Sequence, residues 1–141
     1  MILRNAGTRY FFSSCSCFVV ADTPQIYYVS VSGNNNQNCS VDSPCSSIDQ
    51  VFSAFSSNEN NSTSIEIRMF SGTYTGQGNT NIDLPYIEIT VQPQSSPVLI
   101  ECENENEDFV FQTNNNLNVF GISMKNCLVG IYGASYDSSI S

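Results

Sequence analysis

The chain has 141 residues, with four Lys and Arg against 13 Asp and Glu, a net charge of −9 and 12% charged residues. That length suits one domain at most, and the acidic balance, with Arg4, Arg9, Arg68 and Lys125 scattered, excludes nucleic acid as a partner, because binding it needs clustered bases. There is no histidine, so the commonest general base and metal ligand is missing and a His-containing triad cannot form.

Residues 1–21 have the layout of a secretory signal peptide. Arg4 and Arg9 come first without an acid, the apolar-leaning stretch 10–21 follows, and Val19 and Ala21 supply small residues at −3 and −1 of a cleavage site. Ser13, Ser14 and Ser16 interrupt the apolar part. Cleavage after Ala21 removes Arg4, Arg9, Cys15 and Cys17. It leaves two bases against 13 acids, a net of −11 (2 − 13), and four cysteines in residues 22–141. An even number in a secreted chain suits disulfides. Sequons at Asn38, Asn60 and Asn61 agree with that route as glycosylation sites. No apolar run reaches the roughly 18 residues that span a bilayer.

"QIYYVSVS" reads as a strand, and "NCSVDSPC" follows it. A metal site at Cys39 and Cys45 lacks histidine and a second Cys-x-x-Cys pair to complete four ligands. The spacing is too long for a redox Cys-x-x-Cys, and no base lies near for a nucleophile. A disulfide closing a short loop is the reading left. Next, Ile48, Val51, Phe52 and Phe55 recur at i, i+3, i+4 and i+7, an amphipathic helix of about three turns. Ser43 is placed to cap it, with Pro44 at its first position. "SSNENNSTS" then forms a polar loop.

Beyond residue 64 apolar residues alternate with polar ones, the mark of strands with one buried face: Ile65, Ile67 and Met69; Ile87, Ile89 and Val91; Phe109 and Phe111. Equivalent positions recur every 22 residues, as Ile65, Ile87, Phe109 and Ile131 show. A second series pairs Val98 with Phe120, Ile100 with Ile122 and Cys102 with Met124. A fixed period in the twenties signals a stacked solenoid. Alternation at two rather than 3.6 makes its repeats strands. The expected fold is all-β, a parallel β-helix of about 22 residues per rung, with the helix laid over its amino-terminal end. On that register Glu88 stacks over Glu66, and Thr90 over Arg68. Cys102 and Cys127 either bridge neighbouring rungs or stay as buried thiols.

"IYYVSVSGNNNQNCSVDSPCSSIDQVF", "SGTYTGQGN" and "VLIECENENEDFVFQTNNNLNVFGISMKNC" together resemble the amino-terminal part of the pectin-lyase-like right-handed β-helix proteins. The nearest flavour is that of secreted, Asn-rich protist proteins with polymorphic-outer-membrane-protein-like repeats. The resemblance covers roughly residues 26–141 and implies a right-handed parallel β-helix, not an activity. Family members usually run on for more rungs, often to a membrane anchor. This chain stops after about four, so a truncated product, or a partner over the open end, is an expectation too. Membrane attachment would come only through such a missing carboxyl-terminal anchor.

Enzymes of this fold that cleave acidic polysaccharides are similar in using a basic residue or clustered carboxylates. Glu66, Glu88 and Arg68 are the residues on which a lyase or glycoside hydrolase would rest here; the plainer reading is a solvated sheet face. The acid run Glu101, Glu103, Glu105, Glu107 and Asp108 offers oxygens for Ca²⁺, but lacks the order of a calcium loop. A soluble charged turn is its other reading. No cofactor and no catalytic residue is expected. The function expected is an extracellular or cell-surface module for adhesion or recognition of glycan or protein ligands. A polysaccharide lyase or hydrolase, or a truncated non-functional copy, is the alternative.

Overall fold

A computed structural model describes residues 2–5, 8–11, 23–35, 38–58, 62–85, 87–104, 108–113 and 117–133. Twelve strands and one helix follow one another. They are β1 (Ile2–Asn5), β2 (Thr8–Phe11), β3 (Gln25–Val29), α1 (Ile48–Ser57), β4 (Ser64–Met69), β5 (Gly72–Thr75), β6 (Ile82–Asp83), β7 (Glu88–Pro93), β8 (Val98–Glu101), β9 (Phe109–Thr113), β10 (Leu117–Val119), β11 (Ile122–Lys125) and β12 (Val129–Gly133). Within the segment expected to be a leader, β1 and β2 pair antiparallel, with Arg4 opposite Arg9; residues 12–22 lie outside the described residues.

Every other strand pairing is parallel. The sheets run β10-β7-β4-β3, β11-β8-β5 and β12-β9-β6. β3 and β4 share a sheet, and from β4 onward each consecutive strand enters another sheet. β4, β5 and β6 each enter a different one, and β7–β9 and then β10–β12 repeat that order. Inward residues from the three sheets share one core, including Ile65, Ile67, Met69, Ile89, Val91, Tyr74, Ile100, Phe111, Leu117 and Val119. Burying an Ile or Leu side chain contributes about 1.5–3 kcal/mol each. Val110 is buried beside Phe111, which simple alternation does not explain.

The 22-residue register is not the one formed. Ile65 pairs with Ile89 and Ile67 with Val91, a step of 24 (89 − 65). Ile89 pairs with Leu117, a step of 28 (117 − 89), and Phe109 with Val129, a step of 20 (129 − 109). Phe109 therefore lies in a different sheet from Ile65, and Ile87 precedes β7 as a partly buried residue. In the second series Ile122 pairs with Val98, and Met124 with Ile100 rather than Cys102. Phe120 is 37% exposed, outside the core. Corner lengths vary between repeats, and they set the register.

The helix buries Ile48, Val51 and Ala54, with Phe52 and Phe55 partly buried. It packs on β3, where the Tyr27 and Phe55 rings meet edge to face at 6.5 Å. Its amino end departs from expectation. The first turn starts at Ile48 after Ser47, well past Ser43 and Pro44, and Ser47 makes no side-chain cap bond. Instead the Ile48 N–H donates to Asn79 Oδ1 at 3.1 Å and the Asp49 N–H to the Gly78 carbonyl at 2.9 Å. Those two orphan donors are satisfied by the turn after β5.

The 39–45 loop lies along β3. Tyr28 N–H donates to the Cys39 carbonyl, Cys45 N–H to the Tyr28 carbonyl and Ser30 N–H to the Cys45 carbonyl, at 2.7, 3.0 and 2.8 Å. Cys39 and Cys45 are disulfide-bonded with Cα atoms 4.6 Å apart, and both are fully buried. Gly33 makes the close approach: a Cβ there would sit 2.3 Å from the Cys45 carbonyl oxygen. A second disulfide joins Cys102 to Cys127, Cα atoms 5.1 Å apart, tying the chain just after β8 to the chain just after β11.

Candidate recognition surface

Alternation that buries one face of the four-stranded sheet turns its other residues outward. Two rows cross the strands there. Ile26, Glu66, Thr90 and Asn118 form one; Tyr28, Arg68 and Gln92 form the other. Glu66 Oε1 accepts from both Arg68 Nε and Gln92 Nε2. The Glu66 bond is the main cause that raises the guanidinium pKa further, with a smaller contribution from Tyr28. The Tyr28 ring leans on Phe70 at 6.2 Å. Glu66 is only 14% exposed and Arg68 32%, so this pair is fixed rather than waving in water.

The step of 24 also rearranges the residues on which catalysis would rest. Thr90, not Glu88, is beside Glu66; Glu88 pairs with Ser64; and Gln92, not Thr90, is beside Arg68. Glu66 accepts from two donors and stands as a positioned hydrogen-bond acceptor.

The described members of the acid run have different partners. Glu101 accepts from Asn126 Nδ2 at 2.8 Å and lies 3.7 Å from Lys125 Nζ. Asp108 accepts from Asn81 Nδ2 at 2.9 Å and from the Asn104 N–H at 2.7 Å. Those bonds hold its carboxyl below the usual carboxylate range, the wrong direction for a general acid. Glu103 lies by Gly76, and Glu105 and Glu107 lie outside the described residues. With Asp49 and Asp83, Glu103 and Asp108 line an open cleft of about 520 Å³. Among the described residues no three acidic or cysteine side chains gather as a metal-ligand set.

No protein-family model, curated protein or solved structure matches this chain.

Of the glycosylation candidates, Asn38 is exposed, while Asn60 and Asn61 lie outside the described residues. Tyr28, Gln92 and Asn118 were not singled out by sequence reasoning; only the correct register brings them into rows with Glu66 and Arg68. The two disulfides point to a non-cytosolic compartment. Among the described residues no helix is long and apolar enough to cross a membrane.

Proposed function

We propose that the chain is a secreted or cell-surface recognition module of the right-handed parallel β-helix kind, without catalysis, which binds a glycan or protein ligand on the outer face of the four-stranded sheet. The observation that carries this reading is the fixed Tyr28–Arg68–Gln92 row, with Glu66 bonded to two of its members. Planar and amide groups held in register offer a stacking surface and directed hydrogen bonds without the entropy cost of ordering loose side chains. The threefold repetition of sheet order supports the β-helix assignment. The acidic balance favours ligands that are neutral or basic. Asn38, exposed beside the 39–45 loop, is the glycosylation site this reading favours, and residues 1–21 serve as its signal peptide.

The test is binding to a panel of neutral, amino and acidic glycans and to surface-protein extracts. Tyr28→Ala and Gln92→Ala are expected to weaken capture at least tenfold with the fold intact. Turnover of any glycan, abolished by Glu66→Gln or Glu88→Gln, would overturn the non-catalytic reading in favour of a lyase or hydrolase.

A further inference from the structure

Among the described residues β3 lies at the edge of the four-stranded sheet, because the one strand it pairs with there is β4. A free edge presents a row of backbone donors and acceptors ready for another chain. This one belongs to a hazardous sequence. Gln25–Val31, "QIYYVSV", is seven residues without a charge, proline or glycine and rich in β-formers, the composition that assembles through strand pairing. The edge is nevertheless occupied. The outward-facing groups of Tyr28 and the N–H of Ser30 bond Cys39 and Cys45, and Val29 and Cys45 form a parallel bridge. The disulfide closes the six-residue span between those two cysteines, so the covering backbone cannot drift from the strand it covers.

We propose that the Cys39–Cys45 loop is an edge guard. It occupies a latent interface on β3 whose other occupant is β3 of a second copy of this chain. Each copy has one such edge, since the opposite side of β3 is taken by β4. Edge-to-edge pairing is then isologous and antiparallel about a two-fold axis, and yields a dimer at this surface. Both cysteines are fully buried, so the guard stays shut in the folded monomer.

Light scattering of the full chain, with and without Cys39→Ser/Cys45→Ser, tests this. The wild-type chain is expected to run at its monomer mass, 15.5 kDa where residues 1–21 are retained. The variant is expected to double it, without a covalent dimer on a non-reducing denaturing gel. Adding Tyr28→Pro removes a donor that faces the free edge and spares the β4 side; it is expected to restore the monomer mass. Cys102→Ser/Cys127→Ser controls for destabilisation alone and is expected to stay monomeric. A monomeric Cys39→Ser/Cys45→Ser chain, folded or not, would overturn the proposal. So would a dimer that is covalent, one indifferent to Tyr28→Pro, or one formed equally by the Cys102→Ser/Cys127→Ser control.

Discussion

The two disulfides divide the molecule into regions stabilised in different ways. Cys39 and Cys45 are six residues apart and lie wholly inside the protein; Cys102 and Cys127 are 25 apart, with Cys127 only partly buried. On the chain-entropy model the short loop contributes about 2 kcal/mol and the long one about 3.5. The larger contribution therefore sits where the neighbouring strands are already paired, β8 with β11. The smaller sits where backbone bonds to β3 depend on the loop's shape. A cross-link's energy and its structural consequence are separate quantities, and here they rank in opposite order.

The largest effect bears on that ranking directly. Cys102→Ser/Cys127→Ser is expected to lower unfolding free energy by about 3.5 kcal/mol and Cys39→Ser/Cys45→Ser by about 2 in urea; the reverse order would break the comparison. A mild reductant followed by alkylation and mass spectrometry should label Cys102 and Cys127 first, because Cys127 is only partly buried whereas Cys39 and Cys45 are fully buried. Equal labelling of the four cysteines would count against it.

Next in size is Tyr74, which lies on the side of the Cys39–Cys45 loop, bonded to the Val29 carbonyl of β3. Its hydroxyl donates to the Phe70 carbonyl at 2.6 Å, with the Val29 carbonyl 3.1 Å away. In Tyr74→Phe the Phe70 carbonyl loses this donor, whereas the Val29 carbonyl keeps the Phe70 N–H at 2.9 Å; the loss costs about 1–2 kcal/mol. Burial pushes this phenol up to about 12 from an ordinary 10. Since the folded value is the higher, its contribution is full below pH 10 and is lost as pH rises towards 12. Ultraviolet titration should show a late phenolate that is absent in Tyr74→Phe. Opening Cys39–Cys45 should bring it earlier, whereas opening Cys102–Cys127 should leave it late.

The smallest effect lies inside the long loop. Asp108 has its pKa lowered by Asn81 and the Asn104 N–H. Its contribution is present above the ordinary carboxylate range and fades as pH falls through the lowered value. Acid should loosen Asn81–Asp108 before it affects the Cys39–Cys45 loop. Hydrogen exchange at Asn104 and Asn81 at falling pH reads this, and Asp108→Asn should flatten the response.

Alternation made the strands and their faces legible: Ile65, Ile67 and Met69, then Ile89 and Val91, are buried as their spacing indicates. The repeat length was not legible. "IEI" recurs at 65–67 and 87–89, but the chain pairs Ile65 with Ile89. Because 22 and 24 are both even, a slip of two residues leaves every side chain on its own face. Alternation cannot detect it, yet it decides that Gln92 rather than Thr90 stands beside Arg68. The Tyr28–Arg68–Gln92 row was therefore beyond reach while its individual residues were in plain view. The helix face was readable for the opposite reason, since Ile48 and Val51 lie one turn apart in sequence. Its cap was not, because Asn79 comes from a distant turn.

That cap sets an order of events during synthesis. A helix of ten residues is marginal alone, and its first N–H waits for an acceptor 31 residues further along. Residues 48–57 leave the ribosome well before Asn79 does, so the amino-terminal lid cannot be secured while only its own segment has emerged. It can close fully only once the chain has passed β5 and turned at Gly78 and Asn79. A nascent chain halted before residue 79 would carry the apolar face of α1 without its anchor. The end of the fold that is made first is thus completed late.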